Sequence, residues 1–85
     1  MTYKKLLQLA YPTYRRYRKF HEWANIHSDG ADPDTRRHMY LQDTIMCAEV
    51  NGQIELIEKI MTGDKHIDKY VIHNDLKAVY EEKEN

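Results

Sequence analysis

The side chains best suited to chemistry lie between Tyr11 and Trp23, in the segment YPTYRRYRKFHEW. An aromatic ring occurs at every third position of this segment, and several of the positions between the rings carry Arg or Lys. Flat rings stack on nucleobases, and guanidinium or ammonium groups pair with phosphates. The segment therefore predicts contact with a nucleic acid.

Helical geometry divides this segment into two sides. A step of three residues falls about 60° short of a full turn, so the five rings spiral around the axis and do not share one face. The side predicted to face a core holds Thr13, Tyr17, Phe20 and Ala24, and the side predicted to be exposed holds Tyr11, Tyr14, Arg15, Arg18 and Glu22. Trp23 is assigned to neither side.

The predicted nucleic-acid site combines the exposed rings with the cations of the segment. Its members are Tyr11, Tyr14, Arg15, Arg16, Arg18, Lys19 and Trp23. A second basic cluster, Arg36 and Arg37, extends this region if the turn at residues 28–31 folds the chain back. A structural role competes with this hypothesis, because Tyr is often half-buried with a solvated hydroxyl and Arg covers apolar surface with its stem.

The charge of the chain is unevenly distributed. Residues 1–27 carry six Lys or Arg against one acidic residue, giving +5, whereas residues 28–85 carry seven against thirteen, giving −6. A basic N-terminal region suits a phosphate backbone. It also suits attraction between the two ends of the chain, within one copy or between two.

Other chemistry finds little support in the sequence. Of the five histidines, His66 and His73 are seven residues apart and could share a helix face, but no third ligand or cysteine cluster accompanies them. The three glycines form no phosphate-binding loop. We therefore expect no enzymatic activity, no cofactor and no metal site.

The local signals predict helices throughout. Thr2 is a candidate N-cap for a helical region over 1–27, which Pro12 either kinks or divides. The pair Asp32-Pro33 predicts the start of a long helix over 33–62, with a weak point at Gly52.

That long helix has a broad apolar stripe and a predicted end at Gly63. The stripe includes Met39, Met46, Val50, Ile54, Ile57 and Met61, and it is widened by Leu41, Ile45, Ala48, Leu56 and Ile60. Residues 64–82 predict a C-terminal helix. Its stretch 69–73, KYVIH, has strand propensity, but no second strand is available to pair with it.

These elements predict one all-α domain over 1–85, a small hairpin or bundle of three to four helices around one long central helix. An unbroken helix over 33–62 would be about 45 Å long, against a diameter near 30 Å for a compact chain of this size. With few branched aliphatic residues available for a core, the chain is expected to form a homodimer.

The location expected from the sequence is the cytoplasm. Cys47 is the only cysteine, which suits a reducing compartment. The first residues lack an export signal, and no segment approaches the roughly 20 apolar residues that span a bilayer. We therefore expect no membrane association.

In size and in a composition rich in Tyr, Lys, Asn and Glu, the chain resembles the small accessory proteins of T-even-like phages. That group includes an inhibitor of the ToxN endoribonuclease toxin. The resemblance implies a host-cytoplasmic protein that works with RNA and restrains a toxin or nuclease, and the Tyr/Arg segment is compatible with this role. The first hypothesis is thus a small RNA-binding accessory protein. The alternative is a protein–protein interaction module, an inhibitor or adaptor, that binds no nucleic acid.

Overall fold

The computed structural model of the protein describes residues 2–64 and 66–84. These residues form three helices, α1 (Tyr3–His27), α2 (Pro33–Ile60) and α3 (Lys69–Glu84), and no strand. The predicted all-α class is confirmed, and the described chain contains no fourth helix. The predicted segments 1–27 and 64–82 and the domain 1–85 also include Met1, Lys65 or Asn85, which lie outside the described residues.

Helix α1 begins at a polar cap and continues through its proline. The Thr2 hydroxyl accepts a hydrogen bond from the Lys5 backbone N–H at 3.2 Å, which satisfies one of the first free N–H groups of the helix. Pro12 lies inside the 25-residue helix. Of the two predicted outcomes at Pro12, the structure has the continuing helix, and the rings of this segment are held on one continuous element.

Helix α2 begins where the sequence predicts. The Asp32 carboxylate accepts a hydrogen bond from the Thr35 backbone N–H at 2.7 Å, and Pro33 occupies the first turn. The hydrogen bonds from Thr35 hold the pKa of Asp32 below its ordinary value. The helix runs unbroken through Gly52 and ends at Ile60, two residues before the predicted end. Gly63, with φ of +105°, lies in the turn that follows.

Helix α3 begins at Lys69, five residues later than the predicted helix at 64–82. The Asp68 carboxylate accepts from the Val71 backbone N–H at 2.9 Å, so a side-chain cap stabilises the first turn. The Lys69 backbone N–H donates to Glu58 of α2 at 2.6 Å. The KYVIH stretch is therefore helical, as predicted from its lack of a partner strand.

The core lies where all three helices meet, and α1 packs against both of the others. Its most deeply buried side chains are Tyr14, Ile72 and Leu76. The full set of buried apolar residues is Leu6, Ala10, Tyr14, Val50, Ile54, Ile57, Ile72, Leu76 and Tyr80. Four residues near the start of α1 have helical i, i+3, i+4, i+7 spacing and belong to this core or pack against it: Tyr3, Leu6, Leu7 and Ala10.

The core occupies only one end of the hairpin that α1 and α2 form. All of its α1 and α2 members lie in the halves away from the interhelical turn, and no residue from Arg15 to Glu49, a range described throughout, is buried. We call residues 15–49 the turn half. The molecule measures 48 × 25 × 17 Å with a radius of gyration of 14.7 Å, larger than the roughly 12 Å of a compact chain of this length. The turn half thus has helices but no core of its own.

Candidate functional site

The predicted stacking ring Tyr14 is buried. Its side chain is 1% exposed and packs edge-on against His73 at 5.8 Å and against Tyr80 at 6.2 Å between ring centroids. The predicted exposure of Tyr14 is therefore wrong. The physical reason is that α1 has two packing neighbours, and α3 covers the side that a single neighbour would have left in solvent.

The second predicted ring, Tyr11, is half-buried on the same side of α1. Its hydroxyl oxygen is buried without a hydrogen-bond partner in the described chain, and the Lys83 ammonium lies 5.0 Å from its ring centroid. Burial, reinforced by the nearby Glu84 carboxylate, raises the pKa of Tyr11. This ring supports α3 and offers little free surface for a base to stack on.

Three of the predicted phosphate-binding cations also contact α3. Arg15 Nε lies 2.6 Å from one carboxylate oxygen of Glu84, and Lys19 Nζ lies 3.1 Å from the other. These two cations hold the pKa of Glu84 below its ordinary value. Arg18 donates to the Tyr14 hydroxyl at 2.9 Å and lies 4.6 Å from the Tyr80 ring centroid.

The remaining predicted residues do not join this group. Trp23 is 47% exposed and lies beside the rings of Phe20 and His27, at 5.8 and 4.9 Å between centroids. Arg16 is exposed and donates to the Thr13 hydroxyl at 3.4 Å. Thr13, buried as predicted, faces α2.

The secondary basic cluster lies at the start of α2. Arg36 and Arg37 are exposed, and Arg37 lies 4.0 Å from Asp34. This contact is a surface ion pair one turn apart, of the kind that contributes little to stability. The cluster is free to meet solvent or a partner.

A second surface, which the sequence did not predict, lies on the side of the hairpin opposite α3. We call it the open face. Its apolar residues are Leu9, Phe20 and Trp23 of α1 and Leu41, Ile45, Leu56 and Ile60 of α2. Helical spacing aligns them, because their positions along each helix are separated by whole numbers of turns or nearly so. A shallow groove of about 200 Å³ at one end of the face is lined by residues of α1 and α2 alone, among them Leu9, Leu56 and Ile60.

The open face holds most of the exposed apolar side chains of the described chain. Nine large apolar residues are exposed in the described part of the chain, and six of these nine lie on the open face. The six are Leu9, Trp23, Leu41, Ile45, Leu56 and Ile60, with exposed fractions between 47% and 58%. The four α2 members belong to the broad apolar stripe predicted for the long helix, and in the structure α1 and α3 leave them exposed. The width of the apolar stripe on α2 could have indicated this exposed face, because one neighbouring helix cannot cover a stripe of that width.

Two polar contacts link α1 to α2. Gln53 donates to the Thr13 hydroxyl at 3.0 Å, and near the turn the His21 ring nitrogen lies 2.9 Å from an Asp43 carboxylate oxygen. These two contacts fix the antiparallel register of α1 and α2. By this register Arg16 of α1 and Glu49 of α2 lie at the same level of the hairpin. Neither residue forms an ion pair within the described chain.

Other kinds of site are not assembled by the described residues. No three His, Cys, Asp or Glu side chains among them converge on a point where a metal ion could bind. None of the described helices is long and apolar enough to cross a membrane. Cys47 is half-buried beside Tyr17. Burial of the Tyr17 side chain and the nearby Cys47 and Asp43 side chains raise the pKa of Tyr17 to about 12.

Comparison with protein-family models, curated proteins and solved structures gives no match for this chain. The resemblance to phage accessory proteins stays a prediction. The described residues form three helices whose open face carries six exposed large apolar side chains.

Proposed function

We propose that the protein is a protein–protein interaction module, an inhibitor or adaptor, that binds a helical protein surface through the open face. The observation that carries the proposal is the alignment of six exposed apolar side chains on that one face. Exposed apolar patches with a polar rim commonly mark protein–protein interaction sites, and the open face carries one at each end.

The lack of a core in the turn half supports the same proposal. Phe20, Trp23 and Ile45 are partly or largely exposed at a level of the hairpin where nothing is buried. Two helices alone bury too little apolar surface to be stable, since helices in water depend on tertiary packing. A partner on the open face would supply that packing.

The chemistry of the face indicates what it would bind. An apolar stripe at each end and a polar centre with Arg16 and Glu49 suit the apolar side of one or two helices that carry complementary charges. Trp and Arg are also the residues that most often dominate the free energy of protein association. The homodimer predicted from the sequence belongs to this proposal, because a second copy of the chain offers such a surface.

RNA binding, with restraint of a toxin or nuclease, stays a prediction, as does a cytoplasmic location. The geometry favours it less, because Arg15, Arg18 and Lys19 already have partners on α1 or α3. The exposed cations left for phosphates include Arg36 and Arg37.

Co-purification tests the proposal. The tagged chain is expressed, its extract is treated with nuclease, and retained protein is compared between wild type, Leu56→Asp and a matched control, Tyr70→Asp. Leu56 is on the open face, whereas Tyr70 is similarly exposed on α3. We expect a protein, which can be an untagged copy of the chain, to be retained by wild type and by Tyr70→Asp and lost with Leu56→Asp.

Two results would contradict the proposal. One is that no protein, the untagged chain included, is retained by wild type after nuclease treatment. The other is equal retention by Leu56→Asp and wild type. A high 260/280 nm absorbance ratio in protein purified without nuclease, reduced by Arg36→Glu with Arg37→Glu, would support the RNA prediction instead.

A further inference from the structure

We infer that the open face is covered by the same face of a second copy, related by a twofold axis that runs parallel to α1 and α2. The inference rests on the proposed function and names its partner. The product is an antiparallel four-helix arrangement, with both copies of α3 on the outside. Bundles of four helices with short connections are a common way to bury such faces.

The axis direction follows from the pattern of the face. Rotation about an axis parallel to the hairpin places α1 of one copy on α2 of the other and keeps every residue at its own level. Leu9 then meets Leu56 and Ile60 of the partner copy, and Trp23 meets the partner copy's Ile45. Apolar side chains thus meet apolar side chains at both ends of the face.

Charge selects the same axis. In this arrangement Arg16 of each copy lies opposite Glu49 of the other, so two opposite-charge pairs form across the middle of the interface. A twofold axis through the same level but perpendicular to the helices would place Arg16 against Arg16 and Glu49 against Glu49. Like charges across an interface disfavour association and so exclude that register.

The position of Arg16 supports this pairing. Its guanidinium leans over the hairpin toward the Thr13 hydroxyl, at 3.4 Å, and Gln53 of α2 donates to the same oxygen. The guanidinium therefore lies close to the boundary between α1 and α2. A polar contact in the middle of an apolar helical interface fixes register, which is the best attested role of such contacts.

The size of the face suffices for a stable dimer. Helix α2 has 28 residues and is about 42 Å long. Two helices about 10 Å apart present a face roughly 20 Å wide. The area of the open face is therefore on the order of 800 Å² per copy. A standard specific interface buries about the same area on each partner.

Sedimentation equilibrium with charge-reversal variants tests the inference. Wild type, Arg16→Glu, Glu49→Arg, the double variant and Leu56→Asp are compared at matched concentrations, with Glu55→Arg as a control that makes the same charge change off the open face. We expect a wild-type dimer, and dimer dissociation constants raised about tenfold or more by each single reversal and by Leu56→Asp. The double reversal should recover most of the loss, because it restores opposite charges. The control should match wild type.

Several results would overturn the inference. A monomeric wild type at about 200 µM would exclude the dimer, since interfaces of this size have dissociation constants from the micromolar to the picomolar range. If Leu56→Asp leaves the dimer dissociation constant unchanged, the dimer forms through another surface. If the double variant dimerises as weakly as the single charge reversals, the proposed axis is excluded. Far-ultraviolet circular dichroism confirms that each variant is folded.

These outcomes are separable from failure of the proposed function. If the chain is monomeric but a different protein is retained by wild type and lost with Leu56→Asp, the dimer is wrong and protein binding through the open face stands. If neither association exists, both are wrong.

Discussion

Replacing Tyr14 tests whether the predicted binding helix is instead a structural element. The Tyr14 side chain is 1% exposed, packs on His73 and Tyr80, and accepts a hydrogen bond from Arg18. Tyr14→Ala removes a buried ring, and such truncations cost about 3–5 kcal/mol. A domain of this length has a free energy of unfolding of about 4–13 kcal/mol, so the variant should lose a large fraction of its stability.

Two further variants separate the contributions at this position. Tyr14→Phe keeps the ring and removes the acceptor for Arg18, a partly solvated donor, and should cost about 0.5–1.5 kcal/mol. Tyr40→Ala is the matched control, because Tyr40 is 71% exposed, and its change should be within about 0.5 kcal/mol.

The assay is urea unfolding followed by circular dichroism at 222 nm, with all variants at one protein concentration because a dimer would make stability concentration-dependent. We expect the midpoints to follow the order wild type, Tyr40→Ala, Tyr14→Phe and Tyr14→Ala, from most to least stable. A loss below about 1 kcal/mol for Tyr14→Ala would refute the burial of this ring. It would also restore the case for Tyr14 as a base-stacking residue.

The ion pairs of Glu84 and the glycine of α2 give two further predictions. The pKa of Glu84 is lowered in the folded protein from the ordinary value of 4.5, so its contribution to stability is complete above pH 4.5 and is lost as the pH falls through the lowered folded-state pKa. Glu84→Gln should therefore lower the melting temperature at pH 7, and this deficit should shrink as the pH falls below 4.5. An equal deficit at every pH would contradict this. Gly52→Ala should raise the free energy of unfolding by about 0.5–1 kcal/mol, because an added Cβ there meets no atom within 4 Å; a destabilised variant would contradict this.

Short-range signals in the sequence were sufficient to locate the starts of α1 and α2. Asp32 and Thr2 cap α2 and α1 through their own side chains, and such caps depend only on residues three positions away. Gly52 did not interrupt α2, because its neighbours keep helical spacing on both sides. The class of the fold was therefore predictable from local chemistry.

The side of each helix that faces the core was less predictable. The burial of Tyr14 depends on where α3 lies, and that is set by the turn between Ile60 and Lys69 and by contacts such as the 2.6 Å bond from Tyr3 to Asp75, 72 residues away. No pattern within α1 encodes such a contact.

The open face was missed for a related reason. Leu41, Ile45, Leu56 and Ile60 have the spacing of a core stripe, and periodicity alone cannot distinguish an intramolecular neighbour from a second protein. The predicted homodimer implies a core shared between two copies. Which residues would form that core depends on the position of α3, which covers the opposite side of the hairpin.

Collisional quenching of Trp23 fluorescence by acrylamide tests whether a second copy covers the open face. Trp23 is the only tryptophan of the chain, is 47% exposed and lies on the open face. The protein should be measured over a concentration series from about 1 to 200 µM, a range in which mass action shifts a dimer of moderate affinity. We predict a quenching constant that falls as the concentration rises, and one that stays high at every concentration in Leu56→Asp. A quenching constant that is independent of concentration and equal in the two proteins would contradict the claim that a second copy covers the open face.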